Sequence, residues 1–424
     1  IFMKLLLVFL SLVTFGNARF TILTDRMVRM EWADSAKFED RASLAIIDRN
    51  TGKVPYKVTE DGNTIRIKTS SMELTYTGPE KFNAGNLTIC FDGKQWHPGD
   101  SDSGNLKGTI RTLDGCKGFR IISKHDRVLE NGLLSRDGWS LVDESGRALF
   151  REVDADWKNV IVENPDPSRI DWYFMAYGHD YKKALADFTR IAGKVPMPPK
   201  YTLGYWWSRY WAYTDKELLG IASDLRSHDI PADVFVIDMG WHKYWKDLFQ
   251  KGARDEFGQT VYWTGYSWER KLIADPEQLL ATLHGMGFKT SLNLHPASGI
   301  RPIEDCYQEF RKDYLSRTTD YDGPKNYVYG KGGYTFKGND KAVGQEGEDA
   351  PVPFRLEQQE WADAYFNSVL GPLEKQGVDF WWMDWQQWVN SKYMPSVSNT
   401  FICNYMFWQD KARRNDNVRP LIYH

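Results

Sequence analysis

The chain of 424 residues carries only four cysteines, Cys90, Cys116, Cys306 and Cys403, and none stands in a C-x-x-C pair. That pattern gives no support to a zinc or thioredoxin-like site. A Cys90–Cys116 disulfide and two buried thiols remain alternatives. Basic excess is also missing: 54 Lys and Arg stand against 57 Asp and Glu, for a net charge of −3. This argues against nucleic acid as a partner. No apolar run reaches the roughly 20 residues that a membrane-spanning helix needs, and mean hydropathy is −0.54, so no membrane span is expected. No H-x-x-x-H pair or carboxylate–His cluster marks a metal centre, and none is expected. The Gly-rich stretch Gly330-Lys331-Gly332-Gly333 lacks the spacing and following helix of a phosphate loop and reads as a flexible loop.

What the chain does have is aromatic mass. Trp, Tyr and Phe make up 15% of it, with 18 Trp. An indole offers a broad apolar face and a polar N–H at its edge. Such rings serve either a large aromatic core or surfaces on which sugar rings stack.

Lys4 followed by the apolar run Leu5–Phe15 and the small residues Gly16, Asn17 and Ala18 reads as a secretory leader over residues 1–18. The expected destination is the periplasm, an endomembrane lumen or the extracellular space. A buried N-terminal strand is the other reading. Residues 19–180 then alternate with period 2, as in Val28-Met30-Trp32, Ile65-Ile67, Met72-Leu74-Tyr76 and Leu87-Ile89-Phe91. Turn signals such as Asp61-Gly62 and Asp92-Gly93 separate these runs, which predicts a β-sandwich. A helix near Tyr181–Ile191 and the stretch Lys194-Val195-Pro196-Met197-Pro198-Pro199 read as a junction over residues 181–199.

From residue 200 the period changes. Strands Thr202–Trp207, Asp233–Ile237, Thr290–Leu294, Val378–Met383 and Pro420–Tyr423 alternate with helices near Asp215–Ser227, Asp275–Leu283 and Gln358–Lys375. This pattern predicts a parallel sheet with helical crossovers. The unit lengths suit a (β/α)₈ barrel of which residues 200–424 supply the part up to about strand five. Two long insertions, about 240–270 and 296–356, follow strands, on the side where barrels build their sites.

Three predicted strands stop at a titratable residue: Val234–Ile237 at Asp238, Leu292–Leu294 at His295, and Phe380–Met383 at Asp384. An apolar run that ends on a carboxylate places a poorly solvated anion at the barrel mouth, which calls for a partner or a reaction. Asp384 lies among Trp381, Trp382, Trp385 and Trp388, with Gln386 and Gln387 beside it. A carboxylate walled by indoles suits an oxocarbenium-like sugar carbon. A helix N-cap is the other role open to Asp238 and Asp384.

These segments resemble glycoside hydrolase family 31, the α-glucosidase and α-xylosidase family. The likeness rests on NLKGTIRTLDG (105–115), ENGLLSRDGWSLVDES (130–145), LGYWWSRYW (203–211), ADVFVIDMGWH (232–242) and VDFWWMDWQQW (378–388). It implies a galactose-mutarotase-like β-sandwich followed by a catalytic barrel. It also implies a retaining mechanism without cofactor or metal, acting on an α-linked oligo- or polysaccharide. Asp384 matches the nucleophile. Asp238, Met239, Trp241, His295, Trp382 and Trp385 fall at substrate-binding positions, and Arg136-Asp137-Gly138 resembles a β-domain segment that leans towards the pocket. The family's acid/base aspartate, on the order of 5 Å from the nucleophile in retaining enzymes, is expected beyond His424, so residues 1–424 alone are expected to be inactive. A non-catalytic carbohydrate-binding relative and a barrel glycosidase of other anomeric preference remain the alternatives. Trp385-Gln386-Gln387 after the nucleophile departs from many members and bears on which sugar is taken.

Overall fold

The computed structural model describes residues 11–108, 129–152, 157, 159–243, 263–318, 352–384, 387, 390–391, 393–414 and 417–424, with the backbone of 329–330 and 333–334. The chain divides into two compact units between Pro196 and Met197, within the Pro-rich stretch, and Trp157 groups with the second.

In the first unit the alternating segments form two antiparallel sheets. One has the order β1 (Leu12–Phe15), β2 (Ala18–Thr24), β3 (Met27–Trp32), β12 (Ile170–Met175), β9 (Ser140–Asp143). The other runs in chain order through β4 (Lys57–Asp61), β5 (Thr64–Lys68), β6 (Met72–Thr77), β7 (Leu87–Phe91) and β8 (Lys94–Trp96). A hairpin of β10 (Leu149–Glu152) and β11 (Asn159–Val162) stands apart from both. The segment read as a leader supplies β1 and the first residue of β2; residues 1–10 lie outside the described ones. Asp92-Gly93 joins β7 to β8 with φ of 43° and 74°, the pair of positive angles that a two-residue hairpin demands. Side chains two apart then share a face: Ile65, Ile67, Leu74, Tyr76, Leu87 and Ile89 meet Phe20, Ile22, Val28, Met30 and Phe174 in one core. Each such burial contributes about 1.5–3 kcal/mol.

This unit also buries charge in pairs. Arg29, 1% exposed, forks onto Asp171 through Nε and Nη2, both at 2.7 Å. Glu31 accepts from Arg19 at 2.7 and 2.8 Å and lies 3.0 Å from Arg29. Helix α1 (Tyr181–Ala192), capped by Asp180, packs in this unit rather than acting as a separate linker. Cys90 is a free thiol; Cys116 lies outside the described residues.

The second unit is a five-stranded parallel sheet in the order β13 (Tyr205–Trp207), β14 (Ala232–Ile237), β15 (Lys289–Leu294), β18 (Phe380–Met383), β19 (Ile422–Tyr423). The only strands between β15 and β18 among the described residues are the short hairpin partners β16 (Tyr329–Gly330) and β17 (Gly333–Tyr334). The crossovers are helical. Helix α2 (Asp215–Ser227) starts at a Thr214/Glu217 capping box, and α3 (Pro276–Gly285) at Asp275 with Pro276 in its first turn.

Four elements differ from the sequence reading. Thr202 and Leu203 belong to a tight turn over Lys200–Leu203, so the first strand is shorter. The second insertion contains helix α4 (Tyr307–Arg317), which buries Tyr307, Phe310 and Tyr314. The helix expected over 358–375 is broken into α5 (Gln359–Ala364), a π-helical turn at Tyr365–Leu370 and α6 (Gly371–Gln376). Pro372 has no N–H, and its ring would strike the preceding turn of a continuous α-helix; the wider turn gives it room. The fourth is helix α7 (Asn399–Arg414), which precedes β19 and buries Ile402, Cys403, Met406 and Phe407.

Candidate active site

Alternation along the parallel strands decides which side chains meet. Val234, Val236 and Phe380 form one apolar cluster, with Trp206 and Trp382 packed on it. Counting by twos along each strand, Asp238 continues the face of Val234 and Val236, and Asp384 continues that of Phe380 and Trp382. Register supplies the rest: Ile237 pairs with Leu292 and Leu294 with Met383, so Asn293 and His295 of the middle strand lie between the two aspartates.

The contacts agree. Asn293 Nδ2 donates to Asp384 Oδ2 at 2.9 Å. The Asp384 backbone N–H donates to Leu294 O at 3.0 Å, and its side chain is 23% exposed. His295 Nε2 lies 3.5 Å from the same Oδ2, and its ring meets Trp263 edge-on at 5.2 Å. Burial pushes the His295 imidazole down to about 3, so at neutral pH it stands beside Asp384 uncharged. Its two ring nitrogens have no hydrogen-bond partner among the described residues.

Asp238 is 8% exposed. Its Oδ1 accepts the Met239 N–H at 2.7 Å, capping a single tight turn over Met239–Trp241. Burial raises its carboxyl to about 6; the Met239 N–H opposes the shift and the Asp384 charge adds to it. The electrostatic link means that the two carboxyls sense each other across the site. Tyr210, from the segment after β13, is pushed up by burial and then by the Asp238 charge. Met239 and Trp241 are buried, at 1% and 0% exposure. Trp241 Nε1 donates to Asn293 O at 2.9 Å, and its ring meets Trp268 at 5.0 Å; these two side chains thus form packed wall. Trp382 lies 5.7 Å from Tyr423. Trp385, Gln386 and Trp388 lie outside the described residues. Arg136-Asp137-Gly138 belongs to the first unit, where Asp137 accepts the Gly104 N–H at 2.8 Å.

Three contributors escaped the sequence reading. Asn293 is one, although a polar residue inside Leu292-Asn293-Leu294 was a visible signal. Asn399, the first residue of α7, donates to Gln387 O and to Asn390 O, fastening the loop after Asp384; Gln387 in turn donates to Asp384 O. His424 follows β19, with Nδ1 3.1 Å from Asn404 Nδ2; burial lowers its imidazole while the Asp384 charge raises it. Consecutive strand ends thus carry Asp238, His295, Asp384 and His424. Among the described residues no group of three or more His, Cys, Asp or Glu is arranged to hold a metal ion. The arrangement provides a partly exposed carboxylate fixed by an amide, a second buried carboxyl opposite it and a neutral imidazole between, which suits nucleophilic attack on a carbon whose hydroxyls the other groups grip.

Comparison with known proteins identifies the family of the second unit. The model described as glycosyl hydrolases family 31 TIM-barrel domain matches residues 195–418. Alpha-xylosidase XylQ of Lactiplantibacillus pentosus is 27% identical over 166 residues, 38% of this chain and 19% of that protein. Alpha-glucosidase 2 of Bacillus thermoamyloliquefaciens is 30% identical over 149 residues, 35% of this chain and 16% of that protein. Among solved structures, a Flavobacterium johnsoniae GH31 dextranase complexed with isomaltotriose superposes with a TM-score of 0.60 at 17% identity, covering 96% of this chain and 52% of that one. The GH31 alpha-xylosidase of Xanthomonas citri gives 0.57 at 12% identity, covering 97% and 62%. The matches therefore span under a fifth of the two curated relatives and about half of the dextranase.

Proposed function

The chain belongs to glycosyl hydrolase family 31, and from that premise we propose that it serves a retaining α-glycoside hydrolase, most simply an α-glucosidase, with Asp384 as nucleophile. The observation that carries this is the Asp384 carboxylate at the end of β18, its Oδ2 held by Asn293, facing buried Asp238 across one face of a parallel sheet. Asp384 attacks the anomeric carbon, the bond to the leaving oxygen breaks, and a glycosyl-enzyme ester forms. An acid/base carboxyl protonates the leaving oxygen and then takes a proton from the water that opens the ester. Asp238 and neutral His295 hold hydroxyls of the sugar. Relatives named for α-xylosides, α-glucosides and dextran make all three substrates worth assaying.

The test is covalent trapping. A fluorinated α-glucosyl fluoride added to the protein is expected to label the peptide that contains Asp384, and Asp384→Asn to abolish label and turnover together. Labelling elsewhere, or turnover that survives the substitution, would sink the assignment. Sugar binding without turnover by the full-length wild type would favour the non-catalytic relative. Export through the residue 1–18 leader is a further proposal; N-terminal sequencing of secreted protein checks it, with Arg19 expected first.

A further inference from the structure

The sandwich of the first unit closes one sheet with β8 and the other with β9, so two edge strands border the same end of its core. A cleft of about 540 Å³ is lined by residues of both, among them Trp96, Trp139, Leu141, Asp143, Glu144 and Arg147. That volume falls within the roughly 300–1,000 Å³ of small-ligand sites. Trp139 and Leu141 are half-buried and pack against the core. The Trp139 ring is stacked with Phe174 at 6.0 Å and lies 6.0 Å from Trp96, so it stands as a fixed apolar platform.

Two polar atoms of this lining have no hydrogen-bond partner among the described residues. They are Trp96 Nε1, in a residue 1% exposed, and Glu144 Oε2, in one 6% exposed. A buried donor and a buried acceptor left unmade each cost about 1–3 kcal/mol. A hydroxyl, direct or through one bridging water, satisfies either, because it both donates and accepts. Asp143 on the exposed edge offers further acceptor oxygens. Arg147, half-exposed and 3.9 Å from Glu144 Oε1, offers donors. The acidic lining disfavours an anionic ligand. The carboxylates are not arranged as a metal site, since no such group of three exists among the described residues. An unmade donor and an unmade acceptor beside an apolar ring suit a neutral ligand with an apolar face and a hydroxyl edge.

We propose that this cleft is a second saccharide-binding site, which lays one face of a neutral α-linked oligosaccharide on Trp139 and Leu141 and directs its hydroxyls to Glu144, Asp143 and Arg147. The choice of a sugar over another neutral polyol rests on the glycosidase reading. Such a site would hold a long substrate chain independently of the strand-end carboxylates.

The test is calorimetry on the whole chain carrying Asp238→Asn and Asp384→Asn, titrated with isomaltotriose, with maltotriose and, separately, with calcium chloride. The expected result is residual binding of at least one trisaccharide. Adding Arg147→Ala with Asp143→Ala, two exposed positions whose loss leaves the core untouched, is expected to weaken it about tenfold. Glu144→Gln, which keeps the shape, is expected to do the same. Absence of residual binding, residual binding that ignores all three cleft substitutions, or calcium heat that vanishes with them would each overturn the proposal. Turnover of aryl α-glucosides by the full-length wild type is measured in parallel. Turnover without cleft binding defeats this site and leaves the glycosidase reading standing; cleft binding without turnover does the reverse.

Discussion

Glu31 in the antiparallel unit and Asp238 in the parallel unit are both buried carboxyls, 3% and 8% exposed, and they are handled in opposite ways. Glu31 accepts two hydrogen bonds from Arg19 and stands 3.0 Å from Arg29, which itself grips Asp171. Asp238 has one backbone N–H and, among the described residues, no ion pair. The charge of another carboxylate, Asp384, adds to the upward shift that burial imposes on it. A charge kept for structure is neutralised where it stands. On the proposed reading, Asp238 is left short of partners for chemistry, and the fold carries the cost until substrate hydroxyls arrive.

Four substitutions break or sharpen this contrast, from the largest effect down. Asp384→Asn is expected to cut turnover by on the order of 10⁴–10⁶ while leaving the unfolding midpoint within error; steady-state kinetics beside urea unfolding checks both. Arg29→Met strands Asp171, leaves Glu31 with Arg19 as its only cation among the described residues, and is expected to cost about 3–5 kcal/mol of the first unit's stability, with kcat unchanged in molecules that remain folded. A loss below 1 kcal/mol would mean that the network is replaceable.

Asp238→Asn is expected to act the other way round, stabilising the fold while abolishing binding. The sign follows from its carboxyl, raised by burial to about 6 against about 3.9 unfolded. Above pH 6 the folded state bears a penalty of about 3 kcal/mol that the unfolded state does not, and the penalty fades as pH falls from 6 to 4. The Asn variant should therefore gain most stability at pH 8 and almost none at pH 4. A gain that ignores pH would show that the charge is not its source. The smallest effect is set at Thr214, whose hydroxyl accepts the Glu217 N–H. Thr214→Ala is expected to lower thermal stability by about 1 kcal/mol through the lost cap with catalysis intact.

The same contrast explains what the sequence made legible. Asp238, His295 and Asp384 stood out because an apolar strand has no use for a titratable residue unless it ends there. The sandwich strands stood out because Ile65-Ile67 and Leu74-Tyr76 repeat with period 2. Asn293 was visible only as a polar residue inside an apolar strand and Asn399 not at all, since an amide carries no charge and its worth lies in a partner far along the chain. Helix α4 was masked by the charged residues Glu309, Arg311, Lys312 and Asp313 around its spaced aromatics. The neutrality of His295 depends on burial by several elements at once. The break at Tyr365–Leu370 was implied by Pro372, but the π-helical form it took depends on packing that no local pattern specifies.

Trp381 and Trp382 are neighbours in β18 and therefore face opposite sides. Trp381 is 1% exposed and donates its indole N–H to Glu374 on α6 at 2.8 Å; Trp382 joins the apolar cluster beneath the carboxylates and lies against Tyr423. One residue step thus separates two natural fluorophores in unlike surroundings, a carboxylate at the ring edge for one and an aromatic cluster for the other. With 18 Trp in the chain, the difference between wild-type emission and that of each single Trp→Phe variant isolates one indole, one beside helix α6 and one in the cluster beneath the carboxylates, with no added dye.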